Sequence, residues 1–391
     1  MISQNTLESE IYRAIRNVVG PNSVPLHEPV FSSLEQEYVL NCIESTFVSS
    51  VGEFVNKFEA EICSYTGAKY AIATVNGTSA LHLGLLVSGV TNDVEVLIPT
   101  LSFIATANAV AYCGAVPHFI DSDLLTLGVD VLKLRIYLQK VTVVKNNQCL
   151  NRLTGRVIKA IVPMHTFGHP VDMDALISLA NEFNLIIVED AAESLGSYYR
   201  KSHTGTFGLL AALSFNGNKI ITTGGGGAII TNNSQLAEQA RHLSTTAKIS
   251  NQLHFDHDFI GYNYRMPNIN AALGCAQIKK MPHFIEAKRE LALLYKDSFS
   301  LVIGVDFFQE PINCNSNYWL NTILLNDSNT SLKDFIINDL NSQGIQVRSS
   351  WRLLHKLSMY KQCPKMDNLE GSTFLEKSII NIPSSANIAT N

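Results

Sequence analysis

The chain has 391 residues, 46% hydrophobic and 16% charged, with 29 basic against 34 acidic side chains for a net charge of -5. That much apolar material excludes disorder as the dominant state, and the lack of a basic stripe or basic amphipathic segment argues against nucleic acid and membrane surfaces as partners. A charged fraction well below the usual value of about 25% means that the chain either buries much of its surface or shares some of it with another subunit, and the length suggests two or three domains.

Ile11, Tyr12, Ile15, Val18 and Val19 form a helical stripe closed by Gly20-Pro21-Asn22, so residues 1–24 are predicted as an N-terminal helical extension. From residue 25 onward, apolar strands alternate with helical patterns. Strands are predicted at 70–75, 94–99, 117–121, 158–163 and 185–190, with helices at 80–86, 104–112 and 174–183. Strands apolar on both faces, in strand–helix–strand order, predict an α/β fold with a mostly parallel sheet. The strands at 211–215 and 227–231 are joined by a turn and a glycine run with no helix between them, so this part of the sheet is predicted antiparallel. After Ala276 the helices at 284–299 and 332–343, with short strands, predict a smaller α+β domain. The expected division is therefore 1–24, 25–275 and 276–391.

No run reaches the roughly 18 apolar residues of a membrane span, and the first twenty residues carry early acids and no signal-type apolar run. The seven cysteines are scattered, with no C-x-x-C pair. They read as reduced thiols of a cytoplasmic protein, not as a disulfide frame or zinc site.

Three features fall at strand ends, where open α/β sheets collect ligands. Asn76-Gly77-Thr78-Ser79 ends one strand and opens a helix. Its N–H groups, glycine and hydroxyls suit either a phosphate or a plain helix cap. Asp190 closes a very apolar strand, and a buried carboxylate wants a cation. An arginine, a cap of the next helix or a protonated heteroaromatic nitrogen would each satisfy it. Lys219 follows the strand Leu213-Ser214-Phe215 and precedes Gly224-Gly225-Gly226-Gly227. Desolvation there would favour the neutral amine that imine formation with an aldehyde needs; a solvated loop lysine is the other reading. In chain order the three match the constellation of a pyridoxal phosphate enzyme. There is no G-x-G-x-x-G after the first strand, no P-loop, no G-x-S-x-G and no H-E-x-x-H. His165 and His169 form the close histidine pair on a strand end, open to packing, a cofactor contact or metal; no metal site is predicted.

These residues carry a resemblance. Asn76-Gly-Thr-Ser-Ala-Leu-His82, Ser102-Phe-Ile-Ala-Thr-Ala-Asn108, His165-Thr-Phe-Gly168, Glu189-Asp-Ala-Ala-Glu-Ser-Leu-Gly196, Gly205-Thr-Phe-Gly208, the Lys219 segment and Gly261-Tyr-Asn-Tyr-Arg-Met266 are similar to the DegT/DnrJ/EryC1/StrS family of sugar aminotransferases. The similarity spans roughly residues 25–390. It implies the aspartate aminotransferase type I fold and pyridoxal 5'-phosphate as cofactor. It implies Lys219 as the lysine that forms a Schiff base with the cofactor, Asp190 as the partner of the pyridine nitrogen, and Phe103 stacked on the ring. Gly77, Thr78 and Ser214 would hold the phosphate, and Asn263 would reach the phosphate of a neighbouring subunit in a homodimer with shared active sites. Glu193 stands where many relatives have glutamine near the cofactor hydroxyl, and Gly225 where many have glutamate, so the chain belongs to a sub-branch.

His27-Glu-Pro-Val-Phe31, Phe47-Val-Ser-Ser-Val-Gly52, Met164-His-Thr-Phe-Gly-His-Pro170, Asn317-Tyr-Trp-Leu-Asn321 and Asn381-Ile-Pro-Ser-Ser385 resemble members that aminate UDP-4-keto-6-deoxy-N-acetylglucosamine for legionaminic-acid or bacillosamine-type surface glycans. The resemblance thus implies transfer of an amino group from L-glutamate to C4 of that sugar, with GDP- or dTDP-linked 4-keto or 3-keto sugars as the alternative. Relatives that dehydrate carry histidine at the lysine position, so Lys219 argues against a dehydratase; a non-catalytic cofactor-binding regulator is the remaining alternative. Ser49, Ser50 and Gly52 are expected to face the substrate, as are His165 and Arg348, the latter toward a nucleotide phosphate or in a surface ion pair. Trp319 and Trp351 are read as packing.

Overall fold

The computed structural model describes residues 4–249 and 256–388. A central sheet runs through residues 70 to 231. Its strands are β1 (Tyr70–Thr74), β2 (Glu95–Pro99), β3 (Val116–Ile120), β4 (Val157–Ile161), β5 (Ile186–Asp190), β6 (Leu210–Ser214) and β7 (Gly227–Thr231), in the order β1-β7-β6-β5-β4-β2-β3. All neighbours pair in parallel except those of β7, which is antiparallel to both β1 and β6. The mixed sheet and its one reversed segment therefore match the sequence expectation. A hairpin, Thr142–Lys145 with Gln148–Asn151, extends the sheet from β4.

The strands alternate their side chains between two covered faces. Ile72, Val96, Ile98, Val188, Ala212 and Ile229 share a core with Leu83 and Ala107 of the helices Gly77–Val87 and Ile104–Tyr112. Ala71, Ala73, Ala211, Leu213, Ala228 and Ile230 pack the other way against Val55, Phe58 and Ile62 of Glu53–Thr66 and Ala271 and Cys275 of Asn268–Ile278. Small residues on this second face let those helices approach closely, and Phe58 meets Phe215 edge-on at 5.0 Å.

Several helices have no counterpart in the sequence reading, including Ser33–Glu44, Glu53–Thr66, Val131–Val141, Ser234–Ser244 and Asn268–Ile278. Their start signals were present in part. Ser32 and Glu35 form a capping box, and Asp130 and Asn233 accept from the third helical N–H of their helices, as Ser, Asp and Asn do at N-caps.

A second, antiparallel sheet of four short strands, in the order Val305–Phe307, Asn321–Leu325, Ile379–Ile382, Arg348–Ser349, lies in the C-terminal third. The helix Gln4–Val19 packs into its core: Leu7, Ile11, Ala14 and Ile15 join Leu291, Tyr295 and Phe299 of Met281–Phe299 and Ile323, Ile380 and Ile382 of the sheet. The amphipathic stripe was legible; its partner, nearly three hundred residues away, was not. Among the described residues no helix is long and apolar enough to cross a membrane.

Because Ile11 is fully buried in this core, Ile11→Ala is expected to cost about 2–5 kcal/mol of stability, read as a lower denaturant midpoint in equilibrium unfolding. A midpoint within error of the parent would mean that the helix does not help hold the C-terminal core together.

Candidate functional site

The carboxyl ends of β1, β2, β4, β5 and β6 lie along one edge of the central sheet, and a cavity of about 300 Å³ opens there. Its wall includes Gly77 and Thr78 after β1, Phe103 after β2, Met164 after β4, Asp190 at the end of β5 and Ser214 at the end of β6. Glu193, Asn218 and Lys219 line it too, and Trp319, Arg348 and Trp351 come from the C-terminal part. One cavity thus gathers Lys219, Asp190, Gly77, Thr78, Phe103, Glu193, Ser214 and Arg348.

The helix Gly77–Val87 points its N-terminus into this space. Asn76 takes the Ser79 N–H on its side-chain oxygen at 2.7 Å, which leaves the Gly77 and Thr78 N–H groups as the unpaired donors every helix start has. A Cβ added at Gly77 would stand 2.8 Å from Ser214 Cβ, and one at Gly227 would stand 2.5 Å from Asn76 main-chain atoms. The two glycines let the turn, β6 and β7 close on each other, bringing the Ser214 hydroxyl beside the helix start. The result is an anion cradle.

Asp190 is buried and has no ion pair among the described residues. Thr106 Oγ1 donates to Oδ2 at 2.7 Å and the Ala192 N–H to Oδ1 at 3.3 Å. Burial pushes its carboxyl above the ordinary range, and these bonds and the Lys219 charge offset that only in part. Among the described residues neither an arginine partner nor a cap of a following helix is found. Such a carboxyl calls for a cationic hydrogen-bond donor inside the cavity, which is what a protonated pyridine nitrogen is. With the anion cradle on the same wall, the residues present fit pyridoxal phosphate.

Lys219 Nζ lies 3.2 Å from Glu193 Oε1 and 3.8 Å above the centre of the Trp319 ring. The amine is therefore met by a carboxylate and an indole face, not left as a solvated loop lysine. Glu193 is itself buried, and its other oxygen accepts from the Phe167 N–H at 2.9 Å. Burial drives its carboxyl up, with Lys219 and the Phe167 N–H opposing. Phe167 holds a φ of 55° in the left-handed region, so Glu193 braces a strained turn with one oxygen and the lysine with the other.

The remaining expected residues lie elsewhere. His165 is fully buried, its Nε2 on Glu189 Oε2 at 3.0 Å and its Nδ1 accepting from the Val171 N–H at 3.2 Å; both ring nitrogens are engaged within the protein, so neither faces the cavity. His169 is separate, packed edge-on against Phe308 at 4.7 Å and Tyr318 at 5.2 Å. Ser49, Ser50 and Gly52 are outside the cavity, in a segment held by the Asn268 N–H on Ser49 O at 2.7 Å. Asn263 is exposed, bridged to Thr245 and likewise outside.

Four contributors escaped the sequence reading. Thr106 holds Asp190 although it lies in a quoted motif. Glu189 points to the opposite face from Asp190, where the N–H groups of Gly205, Phe207 and Gly208 and the His165 ring hold it; that explains the Gly205-Thr-Phe-Gly208 motif. Trp319 and Trp351, read as packing, are cavity walls.

An anion cradle, a buried aspartate and a lysine on one sheet edge define the class: a pyridoxal phosphate-dependent enzyme. The profile of the DegT/DnrJ/EryC1/StrS aminotransferase family matches residues 30–391, and the chain belongs to that family. It is 37% identical over 339 residues to the GDP-perosamine synthase of Escherichia coli O157:H7, covering 87% of each chain. It is 31% identical over 334 residues to the UDP-4-amino-4,6-dideoxy-N-acetyl-beta-L-altrosamine transaminase of Campylobacter jejuni, covering 85% of each. The structure superposes on Helicobacter pylori PseC, an aminotransferase involved in the biosynthesis of pseudoaminic acid, with a TM-score of 0.84 at 26% identity, covering 94% of this chain and 98% of that one.

Since burial raises the Asp190 pKa above its unfolded value, ionising it opposes folding above the ordinary carboxylate range. Asp190→Asn should therefore melt higher than the parent at pH 7 without cofactor, with the gap closing as the pH falls below that range, and should gain less on adding pyridoxal phosphate. Calorimetry of both proteins checks this; an Asn variant that melts lower without cofactor and gains fully from it would contradict the assignment.

Proposed function

We propose that the enzyme moves an amino group from L-glutamate to C4 of a nucleotide-linked 4-keto-6-deoxy sugar, and that the nucleotide is GDP. The observation that carries the chemistry is the placing of Asp190 and Lys219 on one cavity wall beside the helix start at Gly77. The greater identity to a GDP-perosamine synthase supports GDP over the UDP-linked N-acetylglucosamine derivative that the sequence motifs suggested, and with it a perosamine-type product over legionaminic-acid precursors.

Pyridoxal phosphate, when bound, supplies an aldehyde that takes up amines and a ring that accepts the electrons left as a carbon-bound proton departs. Asp190 would keep the ring nitrogen protonated; a hydrogen bond between charged groups contributes about 1.5–3 kcal/mol. Gly77, Thr78 and Ser214 would grip the phosphate, and Phe103 would cover the ring. Lys219 Nζ would take and return the proton at the substrate carbon, as base and then acid. Glu193 Oε1 would steady that amine between transfers. Arg348, whose guanidinium lies in the cavity wall 5.9 Å from the centre of the Trp319 ring, would meet an anionic group of a substrate, and Ser49, Ser50 and Gly52 would face the sugar.

We further propose a homodimer in which Asn263 serves the cavity of a second copy. Its exposure outside its own cavity supports this, as do the exposed apolar side chains Phe47, Val51, Phe259 and Ile260. The seven free thiols support a cytoplasmic setting.

Purified protein supplied with pyridoxal phosphate and L-glutamate should aminate a GDP-4-keto-6-deoxy sugar at C4 with kcat/KM at least about tenfold above the UDP- and dTDP-linked analogues, a margin of about 1.4 kcal/mol. Product analysis by mass spectrometry and NMR reads the outcome. Preference for the UDP sugar would overturn the nucleotide assignment, and full turnover by Lys219→Ala would overturn the mechanism.

A further inference from the structure

Lys288 is a buried ammonium-bearing side chain that the chemistry above does not use. It projects from the helix Met281–Phe299 with no exposed surface. No carboxylate pairs with it among the described residues; its Nζ donates instead to two main-chain carbonyls, Trp319 O at 3.2 Å and Ser384 O. Burial draws it down to about 7. A fully buried lysine held only by carbonyls is costly to keep, so what it holds matters.

What it holds is the back of the cavity wall. Trp319 turns its main-chain oxygen to Lys288, its indole N–H to Asn218 O at 2.7 Å, and its ring face to Lys219 Nζ at 3.8 Å. Asn218 is the residue before Lys219. One tryptophan thus joins Lys288 both to the loop that carries the cavity amine and to the amine itself. Ser384 is fastened in turn, its hydroxyl accepting from the Asn321 N–H at 2.8 Å and its N–H donating to Leu26 O at 2.7 Å.

We propose that Lys288 is a positioning residue: it fixes the main chain at Trp319, and through the indole it sets where the Lys219 amine stands. This rests on Lys219 being the reacting amine. The titratable groups around the junction are His27, Lys219 and Arg348, with Glu193 facing the latter two. His27 is held well below its ordinary value by burial and then by the charges of Lys288, Lys219 and Arg348, and its Nδ1 has no hydrogen-bond partner among the described residues. Protonation of Lys288 therefore adds charge to a cluster already rich in cations.

The chain has two tryptophans, so a Trp351→Phe background leaves Trp319 as the sole indole. In that background, full-length protein freed of cofactor should show a step in indole emission centred near pH 7 that Lys288→Met abolishes and His27→Asn leaves in place. With Trp351 intact and cofactor bound, Lys288→Met should lower kcat about 10- to 100-fold, the penalty of a misplaced catalytic group, while KM for the keto sugar changes less than about threefold. Trp319→Phe, which loses the bond to Asn218 O, should show the same kcat-selective loss and keeps the test alive if Lys288→Met does not fold. Emission flat across this range, a step that follows His27 instead, or Lys288→Met kinetics within twofold of the parent would each overturn the proposal. An inactive Lys219→Ala beside a fully active Lys288→Met overturns it alone, whereas an active Lys219→Ala overturns the mechanism and leaves the emission result standing.

Discussion

A carboxylate sealed at the end of a sheet strand without a cation of its own is the constraint on which the site depends. Asp190 accepts two hydrogen bonds, yet such bonds contribute only about 1.5–3 kcal/mol each to a charged group, less than the desolvation of a buried ion. The fold tolerates this imbalance because strongly paired apolar strands surround it. β5 is flanked by parallel strands on both sides, and Val188 is fully buried. The same strand also disposes of its other acid: Glu189, one residue earlier, turns to the opposite face and is satisfied by main-chain donors and His165. Burial alone would raise that carboxyl; His165 and the N–H groups of Gly205 and Gly208 bring it below the ordinary range. Two adjacent carboxylates thus have opposite electrostatic fates, one finished within the protein and one left open toward the cavity.

Much of this was legible in the order of the residues. The alternation of apolar strands with helices exposed the parallel sheet, and the missing helix before β7 exposed its reversal. Asp190, Lys219 and the Gly77 turn could be tied to one sheet edge because strand ends and helix starts are local features. What could not be read depends on distant packing. The place of Trp319 in the cavity wall arises only when the C-terminal part folds back onto the large sheet, and the two bonds of Glu193 each join residues 26 positions apart. The resemblance placed His165 toward the substrate, but the Val171 N–H and Glu189 close over both its nitrogens. The helices missed at 53–66 and 268–278 bury polar residues such as Glu59, Thr66, Asn268 and Gln277 among their apolar and small ones, a pattern with little contrast for periodicity to detect.

The nucleotide reading shows a different limit. Motifs around the cofactor report chemistry shared across the family, so they separate an aminotransferase from a dehydratase well and one nucleotide from another poorly.

The reversal of β7 has one more consequence. Since β6 runs toward the cavity edge and β7 runs away from it, the segment between them leaves and re-enters the sheet at the same rim. It is shut at the neck by the Phe215 N–H on Gly226 O at 2.8 Å and the Thr223 N–H on Phe215 O at 3.0 Å. The lysine therefore rides on a short closed lasso, not on an open crossover. Slack cannot be absorbed there: one residue inserted or deleted between 216 and 225 would displace the amine itself.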